Sequence, residues 1–198
     1  MRGINGILIV INIAVFLLQS QQPVLLLPLA LWPLGAHPIA GISWVPHFAP
    51  WQLLTYAFLH GGLAHLGLNM FALWMFGRDC ESALGARRYL TLYVSAVLSA
   101  ALVQLTVASL SRSAYPTVGA SGGIFGVLLA YAVLFPTRRI VLLFPPIPMP
   151  AWLFVTLYGL VELANGVLGT NAGVAHFAHL GGMLGAGIVL WRWYQAAR

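Results

Sequence analysis

Six stretches of this chain, roughly 4–20, 53–76, 89–110, 121–135, 151–168 and 174–193, are apolar almost without interruption. A helix crossing the hydrocarbon of a bilayer needs about 20 mostly apolar residues, and shorter ones serve inside a bundle. Unbroken runs of this kind exclude an outer-membrane barrel, whose strands alternate apolar and polar residues. Composition agrees, with 61% hydrophobic and 6% charged residues, against about 25% charged in a soluble domain. Nine basic and three acidic side chains do not furnish a water-soluble surface for 198 residues. A lone cysteine, Cys80, excludes a disulfide-stapled module and a Cys-rich metal site. The pattern predicts an all-α, polytopic membrane protein: one domain over 1–198, a bundle of six transmembrane helices.

Between the first two runs, residues 24–36 are also apolar, but Pro23, Pro28 and Pro33 forbid a long helix there. Residues 21–50 are therefore expected to form a structured, partly membrane-embedded first loop. Trp32, Trp44 and Trp51 suit the headgroup depth. Every basic residue is an arginine, and these lie in ones and twos between apolar runs, which is a topology signal rather than a nucleic-acid face. Six spans with an inner N-terminus put Arg2, Arg78, Arg87, Arg88, Arg138, Arg139, Arg192 and Arg198 inside and only Arg112 outside. No cleavable signal peptide is expected, because the first run has no small-residue cleavage site.

Three clusters carry chemistry. Gly119-Ala120-Ser121-Gly122-Gly123-Ile124-Phe125-Gly126 opens the fourth run. A serine there is ordinarily an N-cap, yet flanking glycines admit close approach of backbone or substrate, and a helix N-terminus favours an anion. In the sixth run, Ala178-His179-Leu180-Gly181-Gly182 places a histidine inside a membrane helix, with Gly182 on its face and Gly126 a small partner opposite. Close packing of these helices would bring His179 to Ser121 as base to nucleophile. Phe125, one turn below Ser121, would lie under the imidazole. In the second run, His65 and Asn69 share a helical face, as interhelical glue or as N–H donors to an oxyanion. Convergence of His60, His65 and His179 on a metal is the weaker alternative, since no acid or cysteine accompanies them at metal-site spacing.

Taken together, Gly119-Ala120-Ser121-Gly122, Ala178-His179 with Gly182, and His65 with Asn69 resemble the rhomboid intramembrane serine proteases, over about residues 4–194 and in the basic six-helix bacterial form. The resemblance implies that Ser121 is the nucleophile and His179 its general base. It also implies that His65 and Asn69 form the oxyanion hole with the Ser121 N–H, and that His60 is structural. Glu81 and Gly85 fit the family's inner-loop pattern. Three positions depart from it: Trp51-Gln52 replaces a Trp-Arg pair, Phe125 stands where many members carry tyrosine, and Ala186 replaces a glycine.

The implied function is hydrolysis of peptide bonds in or near transmembrane segments, with membrane-protein substrates and lipids as partners and no cofactor, metal or nucleic acid. The implied location is a bacterial inner membrane, both termini cytoplasmic. The rivals are a catalytically inactive rhomboid-like protein that binds membrane clients, and a transporter or channel. Glu162 invites a Ser-His-acid triad. The expectation is instead a dyad, with Phe125 supporting His179, and with Glu162 facing the aqueous cavity or outer loops and dispensable for most turnover. The topology has its own check. Cysteine labelling or reporter fusions should place 21–50 outside and 136–150 inside, and both on one side would refute it.

Overall fold

The computed structural model describes residues 3–35, 46–111, 115–141, 146–170 and 174–198. Arg2, Trp44 and Arg112 lie outside the described residues. Among the described residues the fold is helical, with one short antiparallel strand pair that the sequence reading did not anticipate.

Helix α1 (Ile4–Gln21) has no side-chain cap from its own sequence. The Glu81 carboxylate supplies one, accepting from the backbone N–H of Ile4 at 2.7 Å and of Asn5 at 3.0 Å. An anion at this end also complements the helix dipole. The prolines that follow start short helical turns rather than continue a long helix: α2 (Pro23–Leu26) and a 3-10 turn over Leu27–Leu29. Gln52 ties this loop down from within. Its amide donates to the carbonyls of Pro28 and His47, both at 3.0 Å, and accepts from Trp32 N–H at 3.1 Å. The neutral amide satisfies three backbone groups where the family pattern has arginine.

The run over 53–76 is not one helix. Helix α3 (Gln52–Thr55) passes into a 3-10 turn over Tyr56–Phe58, and Leu59–Gly62 leave helical geometry before α4 (Leu63–Ala72) begins. A π-helical segment (Leu73–Gly77) then joins α4 to α5 (Arg78–Leu84), so the long helical rod is displaced towards the C-terminus of the predicted span. Two adjacent glycines, Gly61 and Gly62, favour the break. Gln19 of α1 satisfies its backbone, with its amide donating to His60 O at 2.8 Å and accepting from His60 N–H at 3.0 Å. Irregular backbone inside a membrane protein survives where protein groups complete its hydrogen bonds. Asn5 serves the π segment likewise, donating to Leu73 O at 2.9 Å and accepting from Tyr89 Oη at 2.7 Å.

Four further helices complete the bundle: α6 (Ala86–Ser111), α7 (Ser121–Leu134), α8 (Ala151–Leu168) and α9 (His176–Ala196). Strands β1 (Arg139–Val141) and β2 (Pro148–Pro150) pair antiparallel between α7 and α8. Helices α1, α6 and α8 are each long and apolar enough to cross a membrane, and α7 is a shorter apolar helix. The protein is an all-α polytopic membrane protein.

The core is the α6–α7–α9 packing, and glycines set its spacing. A Cβ at Gly182 of α9 would strike the carbonyl of Gly122, and one at Gly126 would lie 3.1 Å from Gly182 O. The adjacent ridge of α9 meets α6, where a Cβ at Gly181 would be 2.8 Å from Val103 Cβ and one at Gly185 would be 2.6 Å from Ser95 O. Small residues thus let α9 touch two helices at backbone distance, the usual device where lipid offers no hydrophobic drive. The departure at Ala186 is accommodated, since it packs at 0% exposure against Gly126. Gly182→Ala should destabilise the folded protein by about 1–3 kcal/mol, read as a drop in Tm. Gly187→Ala, whose Cβ would meet only Leu129 Cδ2 at 3.5 Å, should leave Tm unchanged.

Candidate active site

Ser121 is the first residue of α7, but its hydroxyl caps nothing. The approach to it is held by backbone. Leu31 and Thr117 exchange two hydrogen bonds at 3.0 and 2.9 Å, and Gly119 N–H donates to Tyr56 O at 3.0 Å. Gly119 has φ +129°, and a side chain there would lie 2.8 Å from His65 Cε1. Both the conformation and the space require glycine.

The serine hydroxyl lies instead 2.8 Å from His179 Nε2. The imidazole rests flat on Phe125, with ring centres 4.2 Å apart and planes 5° from parallel. Ser121, His179 and Phe125 are thus together, and the crossing at Gly122 and Gly182 is what allows it. His65 Nδ1 accepts from Gly61 N–H at 3.3 Å, which leaves the ring proton on Nε2, the atom turned towards Gly119. Asn69 donates one amide hydrogen to His65 O at 2.8 Å and keeps the other. These residues line one cavity of about 940 Å³ with Ser121, His179 and Tyr158.

His60 stands apart from the serine. Its ring meets that of His65 edge to face at 5.1 Å, and neither of its nitrogens has a hydrogen-bond partner among the described residues. Convergence of His60, His65 and His179 on a metal is not found. The donors that do converge are Glu162, His176 and His179, within 4.8 Å of one another.

That cluster corrects the placement of Glu162. It faces neither cavity nor outer loop. It is 5% exposed, and its Oε2 lies 2.8 Å from His179 Nδ1 and 2.7 Å from His176 Nδ1. The expectation treated Phe125 and an acid as competitors for one place. A ring is supported on its face by stacking and at its edge by a hydrogen bond, so both are satisfied at once. His176 was missed altogether. Two signals pointed to it: a second histidine at i−3 from His179, and Glu162 as the one acid within an apolar run.

Comparison with known proteins supplies the family. A family model of the rhomboid domain matches residues 47–195. The chain belongs to the rhomboid family. It is 39% identical over 146 residues to rhomboid protein 1, mitochondrial, of Saccharomyces cerevisiae, covering 72% of this chain and 41% of that protein. Rhomboid protease GluP of Bacillus subtilis is 43% identical over 86 residues, covering 42% of this chain and 16% of GluP. Presenilin-associated rhomboid-like protein A, mitochondrial, of Danio rerio is 32% identical over 129 residues, covering 65% and 33%. The chain therefore spans less than half the length of each of these relatives.

Proposed function

We propose that this rhomboid-family protein is an intramembrane serine protease that hydrolyses peptide bonds in or near transmembrane segments of membrane-protein substrates. The observation that carries the reading is the 2.8 Å contact between Ser121 Oγ and His179 Nε2, set in a cavity shared with His65 and Asn69. As Ser121 Oγ bonds to the scissile carbonyl carbon, its proton passes to His179 Nε2. The carbonyl oxygen becomes an oxyanion, to which His65 Nε2–H, the free Asn69 amide hydrogen and the Ser121 N–H are the available donors. His179 then gives its proton to the leaving amine as the C–N bond breaks, leaving an acyl-enzyme. A water, deprotonated by the same nitrogen, hydrolyses the ester and regenerates the serine. An intact helix hides its carbonyls in hydrogen bonds, so the substrate is a segment that unwinds at the cavity.

The inactive client-binding alternative calls for loss of the serine or the histidine, and both remain in contact here. A transporter calls for polar groups along a path through the bilayer, whereas these gather in one cavity. Orientation in this proposal follows the arginines, with both termini on the cytoplasmic side of a bacterial plasma membrane. The Bacillus relative supports that setting. The mitochondrial names of the other two make a mitochondrial membrane its rival, which membrane fractionation separates.

Ser121→Ala and His179→Ala should each abolish cleavage of a transmembrane reporter in protein that remains folded. The double variant should be no worse, because members of one catalytic unit are not additive. Cleavage by Ser121→Ala at the wild-type rate would end the assignment. A second measurement concerns the oxyanion donors. Asn69→Ala and His65→Ala should each lower kcat by ~10²–10³, and full turnover in either would reduce that residue to interhelical glue.

A further inference from the structure

Helix α8 is loosely held. Its buried residues are Ala151, Val155 and Glu162, so a carboxylate is the only buried side chain in its C-terminal half. Gly159, Glu162 and Gly166 follow one another at i, i+3 and i+7, on one helical face. All three meet α9: a Cβ at Gly159 would lie 3.5 Å from Met183 Sδ, and one at Gly166 would lie 3.0 Å from Phe177 Cε2. Between these two small residues Glu162 reaches both histidines with one oxygen. An ionisable group inside a membrane protein is costly unless paired, and an apolar contact would join α8 to α9 without that cost. The carboxylate therefore requires an explanation other than packing.

Its partners supply one. Gly169 ends α8 with φ +66°, and the turn brings Thr170 O to 3.2 Å from His176 Nε2. A carbonyl only accepts, so His176 Nε2 carries a proton, and its Nδ1 is directed at Glu162. For Nδ1 to donate to the Glu162 oxygen as well, the ring carries a proton on each nitrogen, and this doubly protonated His176 is fixed at both ends and clamps the carboxylate. Glu162 Oε2 in turn accepts from His179 Nδ1–H. That fixes the tautomer in which His179 Nε2 offers its lone pair to the Ser121 hydroxyl.

We propose that Glu162, clamped by His176, is a positioning residue that holds His179 through Nδ1, so that the serine–histidine pair works within a Ser121–His179–Glu162 triad. This rests on the protease reading above. Phe125 sets the plane of the imidazole, and Glu162 sets its rotation within that plane and its tautomer. When His179 takes the serine proton at Nε2, the carboxylate lies against the imidazolium that forms. No proton need move to Glu162.

The test uses the full chain purified and reconstituted in lipid, with a transmembrane reporter and a fluorophosphonate probe. Wild-type labelling and cleavage, both lost in Ser121→Ala, establish the protease reading independently of Glu162. On that background Glu162→Gln, which keeps shape and removes charge, should lower kcat and the labelling rate by about tenfold or more. KM should stay within about twofold, because Glu162 acts on the base and not on substrate binding. Glu162→Asp retains the carboxylate and should recover part of the loss. His176→Gln, in which Glu162 keeps His179, should lose less than Glu162→Gln. If Glu162→Gln does not fold, the His176→Gln and Glu162→Asp rates carry the test, each expected below wild type with unchanged KM. Wild-type kcat in Glu162→Gln, or in both of those variants, would make Glu162 interhelical glue and overturn the proposal. Loss of wild-type activity in millimolar EDTA with recovery on Zn²⁺ would also overturn it, by making the same three side chains a metal site.

Discussion

At the crossing of α7 and α9, Gly122, Gly126 and Gly182 leave no side chain between the two backbones, and everything in the site depends on that proximity. With lipid on the outside, packing and hydrogen bonding rather than the hydrophobic effect hold helices together. Small residues give both their chance. Because α9 is pressed against α7, the first residue of one helix and the fourth of the other come within hydrogen-bonding distance. The second ridge of α9, Gly181 and Gly185, fixes the same helix against α6. Nucleophile and base are therefore set by rigid elements rather than by loops.

The other constraint is that irregular backbone in a membrane must find protein partners. The fold meets it with neutral amides. Gln19 closes the break at His60, Gln52 closes the first loop, and Asn5 serves the π segment. Each amide both donates and accepts: Gln19 and Gln52 satisfy carbonyls and an N–H together, and Asn5 satisfies a carbonyl and the Tyr89 hydroxyl. The first loop is linked to the serine through the Leu31–Thr117 pairing and the Gly119–Tyr56 bond. At position 52 the neutral Gln52 amide ties down this scaffold without a charge.

Much of this was legible in the sequence. Long apolar runs gave the helices, and the spacing of Ser121, Phe125, Gly126, His179 and Gly182 gave two faces that meet. The break at Leu59–Gly62 was not legible, because the run over 53–76 holds no charged residue and no proline to interrupt a span. What ends the helix is a glycine pair answered by a glutamine 41 residues away. Nor was the partnership of Glu162 with His176 and His179. Depth along a helix follows from counting residues, whereas rotation about its axis is fixed by the neighbour. The stripe of Gly159, Glu162 and Gly166 held that rotation, but only as a pattern of small residues around a charge.

Glu81 closes the N-terminus of α1 from 77 residues downstream. When α1 is made, its cap does not yet exist, and the free N–H groups of its first turn need water. In the folded protein the carboxylate of α5 takes the place of that water and pins the first turn of α1 to the middle of α5. The contact works as an axial stop: it fixes where α1 stands along its own axis relative to the α4–α5 rod.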